Sequence, residues 1–418
     1  MSDARGPTGA RAHRAALLWL GPDRVLAPGE LVVGPHGRVL ACRAIRARRV
    51  PPVAIVPGLV DAHVHLQIAP LERAERRFLP WLRAILRRRA GTEPGALAAR
   101  TARSLEALLA SGCTAVGEID SAGSSPPLLR SFRLAGRCFQ EVLGFDLGPR
   151  AAAIRVAERR LPGTRRCPAG LSPHAPYSVS DALFKAARRS GMPLQVHLAE
   201  SEEEVEFVRR GRGPFRDLLA ELGRLPEGYR APASSPSAHL ERLGLLCPTT
   251  SLVHAQHLER GDAERIAAHG AAIVVCPGTI QWFRRAAPPV PAWLELGIPV
   301  ALGTDSPASC AAFSMVAQMR AARRLWPTLA PATILAMATR NGGQALARPG
   351  LGILRPGGAA DFVTVPLAQA MAPAAFVDAF TAGELPVARL VLAGRIGWQE
   401  GSGRGPIRGR DAAGGSSG

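Results

Sequence analysis

Length, composition and charge indicate a globular protein and argue against a nucleic-acid platform. The chain has 418 residues, 47% of them hydrophobic, which is too many for a disordered chain. Its net charge of +19 comes almost entirely from arginines spread over many segments, and aromatic residues make up only 5%. Stacking of nucleic-acid bases needs aromatic residues interleaved with basic ones, so we expect no nucleic-acid partner.

The cysteines and the apolar runs favour the cytoplasm. Seven cysteines are spread along the chain without a CxxC pair, which is typical of reduced thiols rather than of a disulfide framework. The apolar run at residues 15–20 is too short for a signal peptide, and no segment reaches the roughly 20 apolar residues of a membrane span. We expect a cytoplasmic protein with no membrane partner.

Both ends of the chain are predicted to be rich in short strands. Glycine and proline turns separate strands at 15–20, 29–34 and 38–42, and again at 357–365 and 388–395. Pieces of this kind can pair, so we predict one discontinuous β-sandwich domain from residues 1–57 and 350–400. The glycine- and serine-rich end, residues 401–418, is predicted to be a disordered tail.

Between these pieces, strands alternate with helices, which implies parallel pairing. Eight strands over about 250 residues match the typical size of a (β/α)8 TIM barrel, and we predict this α/β fold for residues 58–349. A doubly wound sheet is the alternative, but the first turn lacks a GxGxxG motif. The strands are predicted at 58–66, 114–119, 138–145, 169–174, 193–199, 251–256, 272–276 and 299–305, and clear helices at 101–110, 181–190, 262–269 and 311–325.

Histidines lie at the ends of the predicted strands. His63 and His65 are two residues apart on the first strand, so both side chains point to the same side. An HxH pair alone is a weak signal, because either histidine can be a core residue. Three further histidines and one aspartate end other strands, and strand ends of a barrel meet at one mouth. The predicted cluster therefore comprises His63, His65, His174, His197, His254 and Asp305.

The loops after two strands supply further candidates. Glu200 follows His197 by three residues and can exchange a proton with a substrate and with a water activated by a metal. We assign the next acidic residues, 202–204, to a helix N-terminus. Trp282 and Phe283 can cover a flat heterocycle, although an aromatic pair is more often loop packing.

Several motifs together resemble the amidohydrolase superfamily, in its branch of hydrolytic deaminases and triazine chlorohydrolases. The resemblance covers about residues 15–396. The segment Gly112-Cys-Thr-Ala-Val-Gly-Glu118-Ile and the loop after the seventh strand resemble the aminodeoxyfutalosine-type deaminases more closely, by overall likeness and not by a diagnostic residue. No clear ribose-binding glutamate follows the first strand, which argues against a methylthioadenosine substrate. The motifs are Pro57-Gly-Leu-Val-Asp-Ala-His-Val-His65, Ser172-Pro-His-Ala-Pro-Tyr177, His197-Leu-Ala-Glu200, Val253-His254 and Gly303-Thr-Asp-Ser306.

The resemblance implies a role for each residue of the cluster. Binuclear members bridge their ions with a carboxylated lysine at the end of the fourth strand, where this chain has His174, so one ion is expected. The resemblance implies that one Zn²⁺ or Fe²⁺ is held by His63, His65, His197 and Asp305. It also implies that His254 hydrogen-bonds the attacking water and that Asp305 and Glu200 move the proton of that water to a ring nitrogen. His174 is implied to contact the substrate.

The expected function is hydrolytic deamination of an aminated heterocycle, a purine nucleoside-like compound such as aminodeoxyfutalosine or an adenosine derivative. A chlorohydrolase or a cyclic amidohydrolase using the same site is the nearest alternative. A non-catalytic, arginine-rich nucleic-acid binder is a distant one. The expected partner is a small heterocyclic substrate, and the resemblance is also compatible with a homodimer.

Overall fold

Six short strands open the part of the chain that the structure describes. The computed structural model describes residues 9–47, 49–145, 147–158, 163–369 and 371–401. The three strands predicted near the N-terminus are present, and three more accompany them. The six are β1 (Arg11–Ala15), β2 (Leu17–Gly21), β3 (Arg24–Leu26), β4 (Gly29–Val33), β5 (Val39–Ala44) and β6 (Val53–Pro57).

Eight parallel strands follow and form a closed barrel. Neighbours in this sheet are consecutive in the chain. Its first and last strands are joined where the His65 N–H donates to the Asp305 carbonyl over 2.7 Å and the Asp305 N–H donates to the His63 carbonyl over 3.1 Å. The predicted TIM barrel is confirmed. Its strands are β7 (Leu59–Val64), β8 (Cys113–Asp120), β9 (Ala135–Val142), β10 (Ala169–Pro173), β11 (Leu194–Leu198), β12 (Thr250–His254), β13 (Ala272–Val275) and β14 (Val300–Leu302).

The third barrel strand is the one whose predicted limits differ most from the structure. It was expected at 138–145 and lies three residues earlier, at Ala135–Val142. Glycine and arginine near its start disfavour a strand by pattern, but Arg137 is buried and its guanidinium donates to the Leu346 and Ala169 carbonyls over 2.8 and 2.7 Å. Long-range hydrogen bonds therefore set the limit of this strand, and local pattern does not reveal them.

Helices connect the barrel strands, and the four predicted helices are all present. Several begin at a serine whose hydroxyl accepts a backbone N–H, as Ser180 does from Leu183, which is the preferred N-cap arrangement. No helix among the described residues is long and apolar enough to cross a membrane. The helices are α1 (Phe78–Ala90), α2 (Pro94–Ala110), α3 (Ser125–Ser131), α4 (Pro149–Glu158), α5 (Asp181–Arg189), α6 (Glu202–Arg210), α7 (Pro214–Glu221), α8 (Pro236–Arg242), α9 (Asp262–Ala268), α10 (Pro277–Trp282), α11 (Val290–Glu295), α12 (Met315–Leu325), α13 (Pro331–Met337), α14 (Arg340–Ala345) and α15 (Pro373–Ala382).

The last three strands, β15 (Phe362–Pro366), β16 (Arg389–Leu392) and β17 (Arg395–Gln399), return to the N-terminal ones. Strand β15 pairs antiparallel with β6, so the two ends of the chain share a six-stranded sheet, β17-β16-β15-β6-β2-β3, beside a three-stranded sheet, β1-β4-β5. Leu31 and Val39 of the small sheet share a buried cluster with Ile55 and Phe362 of the large one. The domain limits at 57/58 and 349/350 stay a prediction. Residues 402–418 of the predicted tail lie outside the described residues.

Candidate active site

The predicted cluster of histidines and Asp305 lies at the mouth of the barrel, as expected. Three of the six residues end a strand or follow it directly, and the other three lie within three residues of a strand end. His254 and Asp305 adopt left-handed backbone conformations, with φ of 71° and 62°, and such strained residues are concentrated at functional sites. The six side chains lie at the ends of β7 (His63 and His65), β10 (His174), β11 (His197), β12 (His254) and β14 (Asp305).

Ligand-type atoms converge inside this cluster. The Nε2 atoms of His63 and His65 lie 3.7 and 3.9 Å from Asp305 Oδ1, and His65 Nε2 lies 3.3 Å from His197 Nε2. Two triads bring one ligand atom per residue within 4.8 Å of one another: His63 with His197 and His254, and His63 with His65 and Asp305. Imidazole and carboxylate at such spacing form the donor set of a divalent metal site.

The buried Nε2 of His63 fits a metal ligand. Gln195 donates its amide hydrogens to the Ala62 carbonyl over 3.0 Å and to Ser251 Oγ over 2.9 Å. Its Oε1, 2.7 Å from His63 Nδ1, must therefore accept the proton of that nitrogen. This leaves the Nε2 lone pair of His63 facing the cluster, where it has no hydrogen-bond partner among the described residues.

Burial keeps the other imidazoles neutral. It lowers the pKa of His65 and of His254 to about 3 and lowers that of His197 well below its usual value. The His197 Nδ1–H has the His174 carbonyl 3.2 Å away as its acceptor, so its Nε2 carries the lone pair. Neutral imidazoles are the form that binds metal ions.

Asp305 is held ionised and aimed by its hydrogen bonds. Burial alone would raise its pKa, but the surrounding imidazoles of His63, His254 and His65 outweigh burial and hold that pKa far below its usual range. Its Oδ2 accepts from Thr279 Oγ1 over 2.9 Å and from Ser309 Oγ over 2.8 Å. Oδ1 is the oxygen left facing His63 and His65.

Glu200 lies beside the cluster with a perturbed pKa. Burial raises its pKa to about 7, against the lowering effect of Arg285. Its Oε2 lies 3.7 Å from His254 Nε2, and its Oε1 lies 3.4 Å from Arg285 Nη1. A carboxyl that titrates near neutral pH is suited to general acid–base catalysis.

The residues that hold Glu200 in place were not predicted from the sequence. Glu204 was expected only to favour a helix N-terminus. It is buried, and its carboxylate accepts hydrogen bonds from the backbone N–H groups of Ala199 and Glu200 over 3.0 and 2.9 Å. Arg285 packs its guanidinium 4.7 Å from the Phe283 ring centroid. Nothing in the local sequence distinguishes either residue, because each becomes important only through the fold.

Helix α1 lies across the mouth and lines the cavity above the cluster. Near its start, Trp81 Nε1 donates to the Ala308 carbonyl after β14 over 3.0 Å. At its end, Arg89 Nη2 lies 2.9 Å from Glu141 Oε2 on β9. The cavity is lined by five residues of the site and by Trp81 and Ile85 of this helix; the five are His65, His197, His254, Asp305 and Glu200. The sequence pattern predicted only the second of the two helices that follow β7.

Three predicted substrate contacts have different surroundings. His174 lines the cavity, and its Nδ1 lies 2.7 Å from Ser178 Oγ. Phe283 is buried behind the cavity wall, 5.5 Å from the Trp81 ring, and Trp282 donates its Nε1–H to the Glu75 carbonyl over 2.8 Å. The described structure gives both aromatic rings a packing role, and their contact with a substrate stays a prediction.

Comparisons with known proteins show the family to which the chain belongs. The profile described as "Amidohydrolase family" matches residues 54–396. The aminodeoxyfutalosine deaminase of Deinococcus radiodurans is 32% identical over 366 residues, which are 78% of this chain and 83% of that protein.

Two solved structures share the fold. The Helicobacter pylori aminofutalosine deaminase in complex with methylthio-coformycin matches with a TM-score of 0.81 at 22% identity, over 92% of this chain and 99% of that one. An adenosine deaminase from Xanthomonas campestris with bound zinc matches with a TM-score of 0.74 at 23% identity, over 93% and 92%.

The mouth of the barrel holds buried neutral histidines, an ionised aspartate and a glutamate whose pKa is raised to about 7. Together these residues define a metal-dependent hydrolase. The family match makes this assignment more specific. The chain belongs to the amidohydrolase family, and it is a hydrolase of carbon–nitrogen bonds other than peptide bonds.

Proposed function

We propose that the chain is a hydrolytic deaminase of an aminated heterocycle, a purine nucleoside-like compound such as aminodeoxyfutalosine or an adenosine derivative. The observation that carries the proposal is the position of Glu200, which is buried within 3.7 Å of His254 beside the ligand-type cluster. Ring deamination needs a strong nucleophile next to a proton donor, and these residues supply the place for both.

One divalent ion fits the cluster, with His63, His65, His197 and Asp305 as its ligands. Zn²⁺ suits this donor set best, and Fe²⁺ is the alternative. An ion bound there supplies the Lewis acidity that makes water nucleophilic near neutral pH. We propose one ion because the sequence has a single lysine, Lys185, which lies exposed on α5. It is therefore not placed to bridge two ions at the end of the fourth barrel strand, β10.

The chain's own residues account for the proton transfers. Asp305 Oδ1, the oxygen that faces the cluster, would accept a proton from the attacking water while His254 hydrogen-bonds that water. Glu200 would protonate the ring nitrogen next to the attacked carbon, so that the ring gains no net charge. A second proton transfer lets ammonia leave, and His174 would contact the substrate from the cavity wall.

Ammonia release tests the proposal. The metal-reconstituted protein, offered a panel of adenosine derivatives, aminopurines and pterins, should release ammonia. Glu200→Gln should lower kcat by about 100-fold or more, the size typical of losing a general acid or base, and His65→Ala should also lower the bound metal. Glu202→Gln is the matched control, because that side chain lies in the same acidic run and is 86% exposed.

The alternatives predict different products. A chlorohydrolase would release chloride from a chlorotriazine, and a cyclic amidohydrolase would give a ring-opened acid. A metal-loaded protein that frees no ammonia from the whole panel would contradict deamination. Strongly salt-dependent DNA binding by a protein without metal would support the non-catalytic alternative.

The remaining expectations concern the surroundings of the enzyme. We place it in the cytoplasm because all seven cysteines are free thiols, as is usual in reducing compartments. A homodimer and the lack of nucleic-acid or membrane partners stay predictions.

A further inference from the structure

Arg285 lies behind Glu200, in the segment that follows α10. Its Nη1 donates to Glu200 Oε1 over 3.4 Å. Among the described residues, this is the only hydrogen bond that reaches the Glu200 carboxyl, and it is also the only one that the Arg285 guanidinium donates. The other carboxyl oxygen, Oε2, lies 3.7 Å from His254 Nε2, and both Glu200 and His254 line the cavity. The two oxygens of Glu200 therefore have different surroundings.

The surroundings of the Arg285 guanidinium are costly for a cation. Only 11% of the side chain is exposed, and its Nη2 is buried without a hydrogen-bond partner among the described residues. Its Cζ lies 5.1 Å from the Phe78 ring centroid and 4.7 Å from the Phe283 ring centroid. Burying a charged group with so few hydrogen bonds costs free energy. The stability of the fold therefore does not account for an arginine at this position.

Phe78 connects this arginine to the cavity. It is the first residue of α1 and lines the cavity, while its ring also packs against the Arg285 guanidinium. The Phe283 ring stands edge-on to the Phe78 ring, with centroids 5.7 Å apart and an interplanar angle of 85°. The two rings limit the movement of the guanidinium, which keeps Nη1 directed at Glu200.

Proton transfer from Glu200 gains from a cation at the oxygen that does not react. When the carboxyl gives its proton to a ring nitrogen, an O–H bond breaks, an N–H bond forms and a carboxylate is left in a buried site. A carboxylate away from water is costly, and a hydrogen bond from a guanidinium stabilises it. Holding one oxygen also presents the other in a fixed orientation, and orientation of the reacting groups lowers the barrier.

We propose that Arg285 is a positioning residue for this proton transfer: it holds Glu200 Oε1, so that Oε2 is the oxygen that gives the proton to the substrate. The inference rests on the proposed deaminase function. Arg285 acts through Glu200, because Glu200 lines the cavity whereas Arg285 is not among the described residues that line it.

Steady-state ammonia release by the metal-reconstituted enzyme tests the inference, with the best substrate of the adenosine-derivative panel. Arg285→Met should lower kcat by about 10- to 100-fold, the effect of losing one hydrogen bond to a charged group, and should leave KM nearly unchanged. Its melting temperature should equal or exceed that of the wild type, because methionine packs well against aromatic rings and removes a buried charge. Arg284→Gln is the matched control, since Arg284 is the exposed neighbour and should change neither kcat nor the melting temperature.

Chemical rescue separates the hydrogen bond from the packing. Arg285→Ala leaves a space beside the two rings, and guanidinium ion at a non-denaturing concentration should raise the kcat of this variant several-fold. Urea has a similar planar shape without the charge, so it should restore nothing. Arg285→Lys should retain part of the kcat because it keeps a cation. In a Glu200→Gln background, Arg285→Met should cause little further loss, since the two residues act as one unit.

Each other outcome overturns the inference in a recognisable way. An unchanged kcat in Arg285→Met, or a loss confined to KM, would refute the positioning of Glu200. A lowered melting temperature together with no rescue by guanidinium would show a structural role. Additive losses in the Glu200→Gln background would refute action through Glu200. These results leave the deaminase function intact, whereas a wild-type enzyme that releases no ammonia from the panel would refute the inference together with that function.

Discussion

Replacing Gln195 with methionine should weaken metal binding at a distance from the ion. The wild-type amide fixes the proton of His63 on Nδ1 through a 2.7 Å contact, which keeps the Nε2 lone pair available. Methionine has nearly the same length and volume as glutamine, but its thioether is too weak an acceptor to hold that hydrogen bond. The two tautomers of His63 then compete, and the ring loses its orientation.

The size of the effect follows from the three hydrogen bonds of Gln195. The variant leaves the Ala62 carbonyl, Ser251 Oγ and His63 Nδ1 without their partner, and each buried unsatisfied group costs about 1–3 kcal/mol. We therefore expect the free energy of unfolding of the metal-free protein to fall by at least about 3 kcal/mol. Outer-shell partners of metal ligands contribute about 10- to 100-fold in affinity.

The assay is competition for Zn²⁺ against a chromophoric chelator, paired with urea unfolding of the metal-free protein. Ser251→Ala is the control, because it removes one partner of Gln195 and leaves the contact with His63. It should lower stability by about 1 kcal/mol and leave zinc affinity close to wild type. If Gln195→Met loses stability yet binds zinc as tightly as wild type, the tautomer argument is wrong.

Two predictions concern stability away from the site. The hydrogen bond from Arg14 holds the pKa of Glu30 below its usual value, so Glu30→Gln should destabilise the protein by about 0.5–1 kcal/mol at pH 7, a figure reduced by solvent screening. A lowered folded-state pKa stabilises above the unfolded value of about 4.5 and is lost as the pH falls through the folded pKa, so urea unfolding of variant and wild type should converge in acid. Gly136→Ala should be strongly destabilising in a thermal melt, because φ is 126° and the new Cβ would lie 1.9 Å from the Val116 carbonyl oxygen, whereas Gly95→Ala meets open space and should be neutral or slightly stabilising. Similar melting temperatures for Gly136→Ala and Gly95→Ala would refute the steric reasoning.

Much of the fold could be predicted because its signals are local. Strands buried on both faces are continuous apolar runs, as β13 is with all four residues buried, and their alternation with helices predicts a parallel barrel. Strand limits were less predictable where hydrogen bonds to carbonyls distant along the chain determine them, as the bonds of Arg137 do for β9. Helix α1 was not predicted, although its aromatic residues form the wall above the site.

The sequence by itself determined which chemistry-bearing residues end the barrel strands, because side-chain alternation places His63 and His65 together and parallel strands place their ends at one mouth. Only the tertiary structure decided what surrounds them. Arg285 is one arginine among many in the sequence, yet its guanidinium lies 3.4 Å from Glu200. Charge compensation of this kind depends on neighbours that are distant along the chain, and the local sequence does not show them.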